Sequence, residues 1–385
     1  MNIDDELTIL LTLKDRAEYT TRWITYANSI AFPFRVLIAD GSSDDSVAHV
    51  LSDRARFPNV IYDYVRYPQD KTYADYNAKI VDALNRVHTP FVALADNDDF
   101  FLVDCLRESV RFLSEHSEYV ACGGQGALLW ITESAAGTSK DSLYGNNVAW
   151  KCSLADHSID ADAARDRLQA LAIGDDAVVE YYDVKRTVEL RRQFRIVQDL
   201  NLHDPFLVEW LILYLTSIAG KAKRLGRLYL VRQKDSPGSA GGAHAEKFGN
   251  WFGRMLLETW SEDFTKFVSV LSASLAETDG IPLADAKNHI FKTYRMSIAP
   301  QLLSDLIEEP TVSPLMPVVV TTVRRLVGLS EESFLKRLAR KIYRRVNLIS
   351  LHSVYGTRLL SVRVQNAGND MKSILTFLGR GPHQR

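Results

Sequence analysis

Cysteine is scarce in this chain. Only Cys105, Cys122 and Cys152 occur in 385 residues, odd in number and without CxxC spacing. That count supports neither a disulfide framework nor a cysteine-built zinc site. No apolar run reaches the ~20 residues that a membrane-crossing helix needs. The opening M-N-I-D-D-E-L is acidic and polar, unlike a secretory signal, so a cytoplasmic protein is expected. Neither G-x-G-x-x-G nor G-x-x-x-x-G-K-[ST] is present, which leaves dinucleotide and P-loop chemistry without support. A net charge of −2 does not point to nucleic acid.

What is present includes 46% hydrophobic residues, ample for a core, and a length that allows two or three domains. Charge is unevenly spread. From Val318 onward thirteen basic residues face three acidic ones, giving +10, while residues 1–317 carry −12. Phe334 to Ile349 places Leu335, Leu338, Ile342, Val346 and Ile349 on one helical face with cations around the rest. Such a helix can lie on an anionic membrane surface, here the inner face, or dock on protein with its basic side solvated.

Residues 89–101 read T-P-F-V-A-L-A-D-N-D-D-F-F. The apolar run Phe91 to Ala95 fits a buried strand of a parallel sheet. It ends in Asp96, Asn97, Asp98 and Asp99, and the three carboxylates repel one another and call for a positive partner. A hard divalent cation, Mn²⁺ or Mg²⁺, suits all-oxygen ligands and shares its shell with phosphate. The plainer reading is an Asp-rich turn capping the helix that begins near Leu102.

Taken in order, Leu7–Leu13, Phe34–Ala39 and Val60–Val65 read as strands. Glu18–Ile30, Ser46–Ala55 and Tyr73–Val87 read as the helices between them and the Phe91 strand. This alternation predicts an α/β fold with a doubly wound, mainly parallel sheet. Its second strand ends in Asp40-Gly41-Ser42-Ser43-Asp44, so two acidic clusters fall on one rim of one sheet, where ligands bind in such folds.

These pieces resemble a GT-A-fold glycosyltransferase of the family-2 type, over roughly the first 245 residues. The family's opening strand and turn is matched loosely by Leu11 to Arg16, and its Asp-Asp-Gly-Ser-x-Asp by Ala39 to Asp44. Its helical Asn is matched by Asn77 and its Asp-x-Asp-Asp by Asp96 to Asp99. Ala39 stands in place of the family's first Asp, and Lys14 where an aromatic often packs on the base. The resemblance implies donor contacts from Thr12, Lys14, Arg16, Asp40, Ser42, Asn77, Asp96 and Asn97. It implies a metal held by Asp98 with Asp96. The implied donor is a nucleotide-diphosphate sugar, a UDP-sugar first, with a glycan or lipid-linked glycan as acceptor, as in cell-surface polysaccharide synthesis. The oligomeric state stays open.

Leu202 to Trp210 opens another helix, with His203 or Asp204 at the N-cap and Pro205 at its first position. Glu209 lies one turn inside an apolar helix. It is therefore either desolvated with a raised pKa or paired, for example with Lys221 or Lys223. In the resemblance the catalytic base lies eleven residues before a Gly. Glu209 has that separation from Gly220 and is the first choice, with Asp204 the second. After the strand Leu228–Arg232, residues 233–244 read as a glycine-rich loop, suited to a lid over a diphosphate or to a plain linker. Arg232 or His244 could meet the phosphates there, and His244 could be a third metal ligand. His157 reads as a solvent-exposed loop residue.

The expected organisation is a catalytic region at 1–245, a helical extension at 246–317 and a basic tail at 318–385. The expected function is metal-dependent, inverting sugar transfer. The alternatives are a sugar nucleotidyltransferase, whose Gly-rich loop is absent from Leu11 to Arg16, or a non-catalytic nucleotide-sugar-binding module.

Overall fold

In the computed structural model of the chain, the described residues are 2–132, 143–145, 147–153, 158–173, 180–234, 236, 249–308 and 367–380. His157, His244 and the Phe334–Ile349 segment lie outside them.

Four strands carry the first half: β1 (Leu7–Leu13), β2 (Arg35–Asp40), β3 (Tyr62–Arg66) and β4 (Phe91–Ala95). All pair in parallel, in the order β3-β2-β1-β4. Helices α1 (Ala17–Ser29), α2 (Ser46–Ser52) and α3 (Tyr73–Asn85) connect them. Every residue of β1 and β4 is buried, as unbroken apolar runs in a parallel sheet require. Thr72 starts α3 with a capping box in which its hydroxyl and the Asp75 carboxylate satisfy each other's main-chain N–H.

The sheet then turns mixed. After β5 (Phe100–Phe101) and α4 (Val103–Glu115) come β6 (Tyr119–Thr132), β7 (Asn147–Ser153), α5 (Ala164–Ile173) and β8 (Val184–Arg186). Helices α6 (Thr187–Leu200) and α7 (Pro205–Ala219) lead to β9 (Lys221–Gln233). The full order is β3-β2-β1-β4-β8-β6-β9-β5, with β7 on β6; β8 runs antiparallel to both its neighbours, and β9 parallel to β6. This is the doubly wound, mainly parallel sheet with flanking helices that the sequence implied.

After β9 come α8 (Trp251–Met255), α9 (Trp260–Asp279) and α10 (Leu283–Glu308). Phe267, Leu271 and Leu275 of α9 and Ile290 and Tyr294 of α10 belong to the same buried cluster as the sheet, so the core runs on without a break. The last described element, α11 (Ala367–Arg380), belongs to the basic tail yet is docked. It buries Met371, Ile374 and Leu378 with Tyr26, Phe100, Leu129 and Val231. Among the described residues, no helix is long and apolar enough to cross a membrane.

Candidate active site

The β1–α1 turn is unusual backbone. Asp15 and Arg16 both have positive φ, 58° and 60°, a left-handed conformation that non-glycine residues adopt at a cost. Asp15 Oδ1 accepts from the Ser43 N–H and hydroxyl, each at 2.7 Å, and the Asp15 N–H donates to Ser42 Oγ at 2.8 Å. The loops after β1 and β2 are thereby tied together, and Arg16 is aimed at Asp98, with Nη2 to Oδ2 at 3.1 Å.

Asp40 closes β2 and is fully buried. Oδ1 accepts from the Ser42 N–H and hydroxyl, and Oδ2 from Tyr64 Oη at 2.6 Å and Arg66 Nη1 at 3.4 Å. Gly41 follows because nothing larger fits: a Cβ there would lie 2.0 Å from Asp70 Oδ2. Asp70 is itself fixed by buried Lys79, Nζ to Oδ2 at 2.5 Å, while exposed Lys14 donates to its main-chain oxygen at 2.6 Å. Thr12 sits beside Tyr76, hydroxyl to hydroxyl at 3.4 Å, and Asn77 is buried on α3.

At the end of β4, Asp96, Asp98 and Asp99 bring one carboxylate oxygen each within 4.8 Å of one another. Arg232 of β9 reaches across, Nε to Asp99 Oδ2 at 2.8 Å and Nη2 to Asp96 Oδ2 at 3.3 Å. Tyr182 donates to Asp96 Oδ2 at 2.6 Å, and Ser236 to Asp98 Oδ2 at 2.5 Å. Burial pushes the Asp96 and Asp99 carboxyls upward against the pull of Arg232, and the neighbouring Asp98 adds to the rise. Burial acts on Asp98 too, but Arg16, the Ser236 hydroxyl and Arg232 outweigh it and hold Asp98 below the usual range. The cluster fits a divalent cation: the donors are all hard oxygens, and Asp99 Oδ1 is buried with no hydrogen-bond partner.

Behind this turn stands Arg22 of α1, completely buried between the rings of Tyr19 and Phe100. Nη2 donates to the main-chain oxygen of Asp98 at 3.0 Å, and Nη1 to Gln233 Oε1 at 2.6 Å and Leu143 O at 3.0 Å. Burial lowers its pKa to about 10. Arg22 therefore joins the acidic turn to the end of β9, three residues before Ser236. Arg22→Met should cost about 2 kcal/mol or more, since two main-chain carbonyls lose a charged donor. It should also weaken ligand binding at Asp98, and chemical denaturation beside a binding titration checks both effects.

Glu209 lies part-buried on α7, and among the described residues no hydrogen bond or ion pair holds it. The ion pair with Lys221 is not made, because that lysine binds Asp162 at 2.8 Å. Burial pushes the Glu209 carboxyl up to about 7; Arg232 and Arg254 oppose the rise, and Asp96 and Asp204 add to it. It thus shares one electrostatic environment with Arg232 and Asp96.

The structure gives Asp204 and Asn97 other work. Asp204 is buried as the α7 N-cap, where Oδ1 accepts from the Phe206 N–H and from Arg254, each at 2.8 Å. One oxygen is thus held by the cap and a buried arginine, while Oδ2 is buried without a hydrogen-bond partner among the described residues, and burial raises the carboxyl against the pull of Arg254. The Asn97 amide turns to α1, donating to Thr20 Oγ1 at 3.1 Å. Sequence reasoning passed over Tyr182, Ser236 and Arg22. They sit before a three-residue strand, in a loop and on a buried helix face, where no motif or period marks them.

No protein-family model matches the chain. Over 149 residues it is 27% identical to an uncharacterized protein of Mycobacterium tuberculosis (strain ATCC 25618 / H37Rv) and to another of Mycobacterium bovis (strain ATCC BAA-935 / AF2122/97). The match covers 38% of this chain and 39% of the length of each relative. Among solved structures, S. aureus TarS 1–349 in complex with UDP-GlcNAc overlays with a TM-score of 0.44 at 14% identity, covering 84% of this chain and 81% of that one. A further S. aureus TarS structure gives 0.43 at 13% identity; the overlay covers 83% of this chain but only 53% of the TarS chain. The strand order, rather than these overlays, defines the architecture.

Proposed function

We propose that the protein is an inverting glycosyltransferase that moves a sugar from a nucleoside-diphosphate donor to a hydroxyl of a glycan or lipid-linked glycan. The observation that carries this reading is Glu209: a carboxylate without a partner among the described residues, with a pKa raised to about 7, in the electrostatic environment of an acidic cluster at the carboxyl edge of a GT-A-type sheet. A free base beside a metal-and-phosphate site is the pairing that sugar transfer needs.

Glu209 takes the proton of the acceptor hydroxyl as its oxygen bonds to the anomeric carbon. The bond from that carbon to the diphosphate oxygen breaks, and the electron pair leaves with the nucleoside diphosphate. Arg16 and Arg232 place positive charge on the side where the diphosphate departs. A divalent cation held by Asp98 and Asp96 would supply further charge stabilisation there. The rim formed by Thr12, Lys14, Asp40, Ser42 and Asn77 is the proposed seat of the nucleoside, with UDP the first candidate. Asp40 acts mainly by shaping this rim, since both its oxygens are already occupied.

The test is product analysis. The enzyme is incubated with a panel of nucleotide sugars and glycan acceptors, and the product's anomeric configuration is read by NMR. An inverted glycoside with release of nucleoside diphosphate is expected. Release of a nucleoside monophosphate, or of pyrophosphate, would contradict the assignment.

A further inference from the structure

The opposite rim of the sheet carries a second feature that the proposed reaction does not use. A cavity of about 430 Å³ opens where β4 begins, lined by Val87, His88, Thr89, Pro90, Arg186, Thr187, Val188 and Arg191. Asp96 lies at the other end of that strand, and five residues of strand separate the two by about 16 Å. The cavity is therefore distinct from the acidic cleft.

Arg186 and Arg191 line it, and neither guanidinium is neutralised by a carboxylate among the described residues. Arg186 donates from Nε to Tyr119 O at 2.9 Å and from Nη2 to Leu113 O and His116 O at 2.8 and 3.0 Å. Arg191 donates from Nε and Nη2 to Leu84 O and from Nη2 to Val87 O at 2.9 Å. Main-chain carbonyls thus fix both side chains while leaving each with its full charge and an Nη1 that has no partner among the described residues. No acidic residue lines the cavity. Glu189, the one acid in the first turn of α6, is held by Arg192 and Gln193. Glu118 acts on Arg186 only through space.

The third element is the start of α6 itself. Its N-cap, Arg186, provides no side-chain cap, so the positive end of a 14-residue helix meets the cavity. Thr187, the first helical residue, is 4% exposed, and its hydroxyl is buried without a hydrogen-bond partner. The unsatisfied hydroxyl, the two preset cations and the helix N-terminus all belong to residues that line one concave space. We propose that this cavity is a second, non-catalytic anion site that takes a phosphate group. The same chemistry is offered by a free phosphate and by a phospholipid headgroup. Val188, 70% exposed at the mouth, would suit the second.

The experiment titrates full-length protein with inorganic phosphate at constant ionic strength, by calorimetry. Saturable binding is expected, weakened about tenfold in Arg191→Gln and clearly weakened in Thr187→Val. Because Arg191 also ties down Leu84 and Val87, Thr187→Val, which keeps the side-chain shape, separates ligand loss from loosened packing. Excess UDP must leave phosphate binding unchanged. Absence of saturable binding, unaltered affinity in both variants, or displacement by UDP would each overturn the site. Vesicles of phosphatidylcholine with and without phosphatidic acid identify the source. Retention on phosphatidic acid that both substitutions and free phosphate abolish supports a lipid headgroup. Phosphate binding without vesicle retention supports a soluble anion.

Discussion

Glu209→Gln should lower turnover by about 10²- to 10⁴-fold, the usual contribution of a positioned general base, while leaving donor affinity within a few fold. Glutamine matches the carboxylate in shape and cannot accept the proton. In the folded protein no partner loses a hydrogen bond, because Glu209 makes none among the described residues. The native protein should also show a characteristic pH profile. The carboxyl is raised to about 7 by burial, so kcat/KM should climb as pH rises through that value and flatten above it. The linkage to stability has the opposite sign. Between the ordinary carboxyl pKa and about 7 the folded state binds the extra proton, so this group's contribution to stability falls as pH rises across that window. Steady-state kinetics of both proteins across pH 5 to 9 checks the account. A variant whose limb near neutrality persists would assign that titration to another group.

Arg232→Met should be the most destabilising change in the cleft, by about 3–5 kcal/mol in the absence of divalent ions. The guanidinium spans Asp96 and Asp99, and the Asp99 side chain is 1% exposed. Without it the buried Asp99 carboxyl must protonate or face half-buried Asp96 unscreened, and Tyr182 loses a contact at 3.1 Å. Mn²⁺ should recover part of the loss, since a bound cation would replace the missing charge and favours the native state by mass action. Urea denaturation with and without Mn²⁺ reads both effects. A loss that Mn²⁺ leaves untouched would argue that the acidic cluster holds no cation.

Much of this architecture was legible in the residues because its first half is repetitive physics. Buried parallel strands are continuous apolar runs: Phe91–Ala95 has the predicted bounds, as does Leu7–Leu13. The helices between them carry clear stripes, and Thr72 marks the start of α3. The second half hid its strands. Val184–Arg186 has three residues, two of them charged, and its pairing with β4 and β6 is long-range. The strand expected over Leu228–Arg232 begins at Lys221, because charged residues alternate along its partly exposed first half. At the site, the acidic turn was visible from its composition. Which side chains answer those charges was not, because Arg22, Tyr182 and Arg232 reach the turn only through tertiary packing. Asp204 shows the converse: a residue with two readings in sequence, cap or base, is bound by Arg254 in the fold. The docking of α11 on Tyr26 and Phe100 depends on contacts far apart in sequence, as in the Tyr26–Ser373 approach with a separation of 347.

The central claim is that the acidic turn and the rim beside it bind a nucleoside-diphosphate sugar. A thermal-shift panel of UDP-, GDP-, CMP- and dTDP-sugars, each with Mn²⁺ and with a chelator, tests it on the native protein and on Asp98→Asn. The account expects at least one nucleoside-diphosphate sugar to raise the melting temperature of the native protein, more strongly with Mn²⁺, and to leave Asp98→Asn unmoved. A panel without any shift, or an equal shift in Asp98→Asn, would contradict it.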